Sequence, residues 1–294
     1  MLKPLIIENH TAALKKSEMI MKGSMKMKVY ISTDIEGCAD VTSWCETEYG
    51  QEGYEQACRQ MTLETAAACS AAQSLGWDVV VKDGHGSGRN LDPWGLPRGA
   101  ELIRSWRTSP AGMLGGLDET FDAVICIGYH APEGTDGSPL AHTIEHAWFT
   151  KVTLNDKLES EFSLNGLYAS NLGVPTVFIS GDQEICTHAR ERCPGITAVS
   201  VKSGTGNSTW SMHPQDAIDA IAEGVRQALQ NLEGVDAKCF LQPHYKLDMF
   251  FKEHHSARAA SWYPGAEKIG PTHIRYQTDS VDDLMIAKMY MTEI

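Results

Sequence analysis

Lys28-Val-Tyr-Ile-Ser-Thr-Asp-Ile-Glu-Gly37 decides how this chain is read. Side chains alternate across a strand, so Val29, Ile31, Thr33 and Ile35 line one face, which suits a core. Asp34 and Glu36 project together from the other face, at the end of the run, and Gly37 closes it. Comparable apolar runs recur at 78–82, at 121–128, at 148–154 and at 174–180. The run at 148–154 turns at Asn155-Asp156 into a second segment that runs into Glu161. Between the runs lie helical stretches. Residues 54–75 place Met61, Ala68, Ala72 and Leu75 on one face, with Gly76 as the stop. Residues 214–232 start with Pro214, carry Asp216 and Asp219 near the N-terminal end, and align Ile218, Ile221, Val225 and Leu232. Ser280-Val-Asp-Asp283 resembles a capping box that opens a last helix. Short strands alternating with helices predict an α/β protein. Clear strands are fewer between 193 and 271. The expected organisation is therefore an N-terminal extension (1–26), an α/β core (27–192) and a smaller C-terminal subdomain (193–294).

Composition narrows the partners. The chain has 294 residues, and 25 Lys and Arg face 38 Asp and Glu, a formal net charge of -13. Such a surface repels nucleic acid and anionic membrane, so neither is expected as a partner. No stretch approaches the roughly 20 apolar residues of a membrane span. The first 24 residues contain Glu8, His10, Lys15, Lys16 and Glu18, and so lack the apolar centre of a signal peptide. The expected address is cytoplasmic. The eight cysteines form no C-x-x-C pair and read as reduced, small apolar residues, with Cys45 and Cys193 in loop-like sequence.

The chemistry lies after the strands. Asp34 and Glu36 follow the first, Lys82-Asp-Gly-His85-Gly the second and Gly128-Tyr-His130-Ala the third. Ligands of open α/β sheets bind at the carboxyl ends of strands, and these ends are stocked with carboxylates and imidazoles. Two carboxylates so close repel each other unless a cation intervenes, and a divalent metal is the simplest one to place there. Singly, each residue has a plainer reading: a solvated acidic pair, a Gly-His-Gly turn, a hydrogen-bonded core histidine. Three at successive strand ends outweigh those readings. His142-Thr-Ile-Glu-His146 matches the inverted zinc-protease pattern H-x-x-E-H, which requires a helix. Pro139 before it and a strand-like run after it argue against a helix there.

Several of these stretches resemble the bacterial D-aminopeptidase family of the dipeptide transport protein type. They are Ser32-Thr-Asp-Ile-Glu-Gly37, Lys82-Asp-Gly-His85, Ile127-Gly-Tyr-His-Ala131, Ala141-His142-Thr and the Asn155-Asp to Asn165-Gly interval. Tyr54-Glu55, Met61-Thr62, Glu64 and Ser180-Gly-Asp182 are similar as well. The resemblance runs from about residue 27 to the end and is firmest over 28–182. It implies a three-layer α/β/α fold with a mostly parallel or mixed central sheet and two divalent ions per chain. Zinc is implied, and cobalt or manganese suit the same ligands. Asp34 would bridge the ions, Glu36 and His85 would complete one site, and His130 and Glu161 the other. Glu161 is preferred to Glu159 for its spacing from Asn155-Asp156 and Leu164-Asn165. His142 matches the family's catalytic histidine. The resemblance also implies a homo-oligomer, with a ring assembly as the family habit. Lys82-Asp-Gly-His85 departs from the Asn-Asp-Ser-His expected of the family, and the stretch after 195 matches loosely.

Charge arithmetic is compatible with this picture. Asp34, Glu36 and Glu161 with two neutral imidazoles carry three negative charges against four positive, and open positions remain for water and substrate. The function expected is a metallo-aminopeptidase or amidase acting on small peptides or amino-acid amides, with D-residues among them, through a metal-activated water. Two alternatives stand beside it. A binuclear phosphoesterase would want basic residues at the metals, for which Lys82 and Arg89 are the nearest. The other alternative is an inactive metal-containing peptide-binding protein. Stereospecificity does not follow from these residues.

Overall fold

The computed structural model describes residues 26–292, so the expectation of an extension over 1–26 lies outside the described residues apart from its last one. The large sheet takes seven strands: β1 (Lys28–Thr33), β2 (Asp78–Asp83), β3 (Ala100–Ile103), β4 (Ala123–Tyr129), β7 (Thr176–Asp182), β8 (Thr197–Thr205) and β9 (Ser208–Ser211). Their order is β3-β2-β1-β4-β7-β8-β9. Every neighbouring pair is parallel except β8 and β9, which form an antiparallel hairpin. This is the mixed central sheet expected. All seven residues of β4 are buried, as a near-continuous apolar run in a parallel sheet requires.

Among the described residues six α-helices accompany the strands: α1 (Tyr54–Ser74), α2 (Glu161–Asn171), α3 (Gln183–Arg192), α4 (Pro214–Gln230), α5 (His254–Ala260) and α6 (Val281–Thr292). Helix α4 lies close against α1 and the sheet, and Gly224 admits Phe178 of β7 to its surface. Gly181, of opposite parity in β7, meets Ile185 of α3. The two helices therefore sit on opposite faces of the strand, and the sheet is the middle of three layers. Pro214 occupies the first turn of α4, and Ser280 Oγ accepts the Asp283 N–H at 3.2 Å at the start of α6.

A second sheet is antiparallel. It contains β5 (Phe149–Leu154), β6 (Lys157–Leu158), β10 (Tyr245–Phe251), β11 (Glu267–Lys268) and β12 (His273–Thr278), in the order β11-β12-β10-β5-β6. Both sheets draw strands from each side of residue 193. Strands β8 and β9 and helix α4, from beyond it, extend the large sheet and its helical layer. Strands β5 and β6, from before it, join the second sheet. The reason is hydrogen bonding: β7 needs a parallel partner on its outer edge, and β5, beyond its short hairpin partner β6, finds its long partner in β10, almost a hundred residues on. The region from 193 to 271 also holds more strands than its sequence suggests, because β8 is half-exposed along much of its length and its composition is mixed.

Candidate metal centre

Strand β1 is flanked by β2 on one side and β4 on the other, so the strand order reverses at the β1/β4 junction. A crevice opens at the carboxyl ends of strands at such a point. Asp34 leaves β1 there with its N–H on Ile127 O at 2.8 Å, and Gly37 donates to Gly128 O at 2.8 Å. The approach is close enough to exclude a side chain: a Cβ on Gly37 would stand 1.7 Å from Tyr129 O. Gly128 adopts φ +72°, and a Cβ on it would be 2.3 Å from Asp34 O. These two glycines let the Asp34 and His130 segments share the crevice.

His85 reaches in from beyond β2. Its Nδ1 lies 3.2 Å from Asp34 Oδ1 and 3.1 Å from Glu36 Oε2, while Nε2 is 2.7 Å from the carbonyl of Thr47. Glu46 secures the turn that presents this carbonyl by accepting the N–H groups of Thr42 and Ser43, each at 2.7 Å. His130 follows β4. Its Nδ1 lies 3.0 Å from Ala131 O, and its Nε2 is 3.4 Å from Asp34 Oδ2 and 3.6 Å from Glu161 Oε1. His142 repeats the arrangement, with Nδ1 3.0 Å from Leu140 O and Nε2 3.5 Å from Glu161 Oε1. The rings of His130 and His142 stack at 3.9 Å and 7°.

Each of these histidines thus has one nitrogen against a backbone carbonyl, the place for its N–H, and turns the other nitrogen towards carboxylate oxygens. This is how metal-binding imidazoles are oriented. Asp34 Oδ2, Glu36 Oε2 and His130 Nε2 are buried without a hydrogen-bond partner. Lone pairs that face one another in a buried cluster call for a cation between them. Among the described residues two groups have donor atoms within 4.8 Å of one another: Asp34, Glu36 and His130, and His130, His142 and Glu161. The residues present therefore fit divalent ions.

The electrostatics agree. Burial alone would raise the Asp34 carboxyl, but His130 and His85 outweigh it and hold Asp34 well below the ordinary carboxylate range. Burial would lower His130, yet Glu161 and Asp34 draw its pKa well above the usual imidazole value. His85 is raised in the same way by Glu36 and Asp34, against its own burial. A field that holds protons this firmly is a cation-binding field.

Glu161 is the first residue of α2, whose N-cap Ser160 accepts the Ser163 N–H at 3.1 Å. Glu159, the competing carboxylate, faces away from the crevice. It pairs with Arg192 at 2.6 Å and accepts the Ser163 hydroxyl, and burial, against the Arg192 charge, pushes its pKa up to about 7. The His142–His146 pair does not form a helical zinc motif: residues 142–146 are irregular, with no helix, and the two rings meet edge to face at 6.3 Å. His146 instead stacks on Trp44 at 4.2 Å, and Trp44 also meets the edge of His142 at 5.3 Å.

A cavity of about 640 Å3 opens over the cluster. Asp34, Glu36, His85, His142 and Glu161 line its floor, and Trp44, Trp106 and Trp148 contribute to its walls. Arg89 lines a different cleft, and Lys82 is buried with its ammonium 4.4 Å from the Trp106 ring centroid and donating to Asp83 O. Neither supplies the cavity with the basic charge a phosphoesterase would use. Sequence reasoning missed the supports. Lys202 of β8 is buried and donates to the carbonyls of Glu36 and Val41. Asp182 accepts the Ala131 N–H at 2.7 Å, which holds the residue beside His130. Lys202 carries no local signal, because a lysine in a strand of mixed polarity reads as exposed. Ser180-Gly-Asp182 was visible in the sequence only as a similarity.

An α/β sheet with carboxylates and imidazoles gathered at its switch point, under a peptide-sized cavity, defines a metal-dependent hydrolase. Comparison with known proteins is specific. The family model described as D-aminopeptidase, peptidase M55, matches residues 27–289, and the chain belongs to that family. It is 30% identical over 275 residues to a D-aminopeptidase of Bacillus subtilis (strain 168), covering 91% of this chain and 97% of the relative. Among solved structures it resembles the Zn-dependent D-aminopeptidase DppA from Bacillus subtilis, described as a self-compartmentalizing protease. The TM-score is 0.85 at 28% identity, over 91% of this chain and 97% of that one.

Proposed function

We propose that this chain is an aminopeptidase or amidase of small peptides and amino-acid amides, D-residues among them, working with two divalent ions per chain. The convergence of Asp34, Glu36, His85, His130 and Glu161 on one buried cluster with unpartnered donor atoms carries this reading. Asp34 would bridge the two ions, with Glu36 and His85 on one and His130 and Glu161 on the other. The zinc dependence in the description of the structural relative favours zinc. Ions held there would polarise the scissile carbonyl and lower the pKa of a water molecule.

The rest of the reaction falls to side chains of this chain. His142 lines the cavity, whereas His130, stacked beneath it, does not, so His142 is the imidazole that meets substrate. With Nδ1–H on the Leu140 carbonyl, its Nε2 is the atom that takes a proton from the attacking water and returns it to the leaving amine. The Ile144 N–H, 2.7 Å from Glu161 Oε1, fixes the carboxylate on the other side. The walls of Trp44, Trp106 and Trp148 exclude water and hold the substrate side chain.

A cytoplasmic address and assembly into a homo-oligomer complete the proposal, the latter supported by the self-compartmentalizing description of the relative. The deciding experiment combines elemental analysis of protein purified without chelator with assays on matched D- and L-amino-acid amides and dipeptides. Two ions per chain and hydrolysis that chelation abolishes are expected, with the preferred enantiomer naming the specificity. His142→Ala should keep both ions and lose rate. A protein with two ions and no amide turnover would be a binding protein, and one that takes up no metal would sink the reading.

A further inference from the structure

Cys193 and Cys239 lie outside the metal centre and have no part in the chemistry above. Cys193 closes the C-terminus of α3, is fully buried, and donates its backbone N–H to Ala189 O at 2.8 Å. Cys239 sits half-buried on a turn, its N–H on Asp236 O at 3.1 Å. The two sulfurs are 2.8 Å apart, although 46 residues separate them in sequence. Among the described residues no other two cysteine sulfurs are in such contact. A disulfide requires an S–S distance of about 2.0 Å, so closing this pair asks for a movement of less than about 1 Å.

We propose that Cys193 and Cys239 are a reversible disulfide-forming pair, a thiol modification site that clamps the back of the helix carrying Glu161. Cys239 is the more accessible thiol and reacts first. Its thiolate attacks a low-molecular-weight disulfide such as oxidised glutathione, whose S–S bond breaks as a mixed disulfide forms, and the departing glutathione sulfur takes up the proton Cys239 has lost. The Cys193 sulfur then attacks the Cys239 sulfur and displaces the second glutathione, which leaves with the Cys193 proton. Two protein thiols are oxidised by two electrons and one oxidised glutathione is reduced to two thiols. The contact with the Cys193 sulfur lowers the pKa of Cys239, which favours the first attack.

The neighbours of both cysteines brace α2. Arg192, beside Cys193, pairs with Glu159 at 2.6 Å just ahead of the helix. Phe240, beside Cys239, meets Phe162 edge to face at 5.6 Å and rests on Gly166, where a Cβ would stand 2.5 Å from its ring. A bond between 193 and 239 joins the two braces and closes a loop that contains β8, β9 and α4. A cross-link across so long a loop restricts the unfolded chain and so raises stability. In a reducing compartment the pair rests as dithiol, and it closes where oxidised glutathione accumulates.

The test is a redox titration of the full chain. The protein is equilibrated in mixtures of reduced and oxidised glutathione, alkylated, digested and mapped by mass spectrometry, with Tm measured at each ratio. The expected result is a single cross-linked pair of peptides containing Cys193 and Cys239, with a Tm several degrees higher that reverts on adding dithiothreitol. Cys239→Ser should abolish both changes, while Cys58→Ser, at another half-buried cysteine, should leave them intact. If Cys193 and Cys239 remain open to alkylation under denaturing conditions at every ratio, or only glutathione adducts or other pairings form, the proposal is overturned. A cross-link without a rise in Tm overturns the clamping role. The peptide map of the unaltered chain decides the pairing even where a variant misfolds.

Discussion

At Gly37 the chain has no room for a methyl group. Alanine there would drive its Cβ into Tyr129 O, and since both partners are backbone, neither can turn away. Gly37→Ala should therefore cost about 3 kcal/mol or more in chemical denaturation and lower metal content in parallel. Ile144 is unusual in a different way. A β-branched residue at φ +73° is strained, and its N–H is held on Glu161 Oε1. Glycine relieves that strain, so Ile144→Gly should leave Tm near that of the parent while activity falls, because the peptide unit that positions Glu161 is freed. His188 is a third case. It is largely buried on α3 with Nε2 unpartnered, and burial, helped by Arg192, lowers its pKa from 6.5 to about 4. The unfolded chain then binds a proton more readily than the folded one between these values. The stability this group contributes is complete above pH 6.5 and is lost as pH falls towards 4. His188→Leu should flatten that part of the acid limb, as Tm measured at pH 7.5 and pH 5 would show.

Among the elements, α2 links fold and site most directly. Its N-cap serine and the Ser163 side chain satisfy each other's backbone groups, and Glu161 projects from the first turn they organise. Ser160→Ala should cost about 1 kcal/mol of stability and reduce activity further than that loss explains, since Glu161 loses its register. The β1–α1 loop depends on a more distant support. Lys202 arrives from β8 and binds two of its carbonyls, with Asp182, Cys38 and Glu64 raising a pKa that burial depresses more strongly. Lys202→Met keeps the volume and removes the donor, leaving those carbonyls and the nearby buried carboxylates without their cation. A loss of about 3 kcal/mol is expected, together with weaker metal retention in dialysis.

For the whole molecule, the metal centre joins segments from β1, β2, β4, the 142–146 turn and α2, so an ion there ties together much of the large sheet. An ion that binds the folded and not the unfolded chain stabilises it by mass action. Dialysis against chelator should lower Tm by several degrees, and readdition of zinc should restore both Tm and activity. Trp94, Trp210 and Trp262 are strongly exposed on the single chain. The reading as a homo-oligomer expects at least one of them to be shielded in the assembly, which fluorescence quenching at dilutions spanning dissociation would detect.

The parallel core was legible in the sequence because the apolar runs at β1, β2, β4 and β7 are too short for helices, are rich in β-branched residues and are bounded by glycines, and because Asp34, Glu36, His85 and His130 stand just beyond such runs. Their nearness followed from the rule for strand ends, while Glu161 and His142 entered through family resemblance, since no local period points to them. Tertiary structure alone decided the rest. It turned Glu161 towards His130 and His142, and it paired Glu159 with Arg192 of a later helix. It placed β5 beside β10 and Lys202 beneath Glu36, and it brought Cys193 to Cys239. Each of these depends on contacts between residues tens to more than a hundred positions apart. Local pattern records which way a side chain faces its own backbone, but only the folded packing determines what it meets.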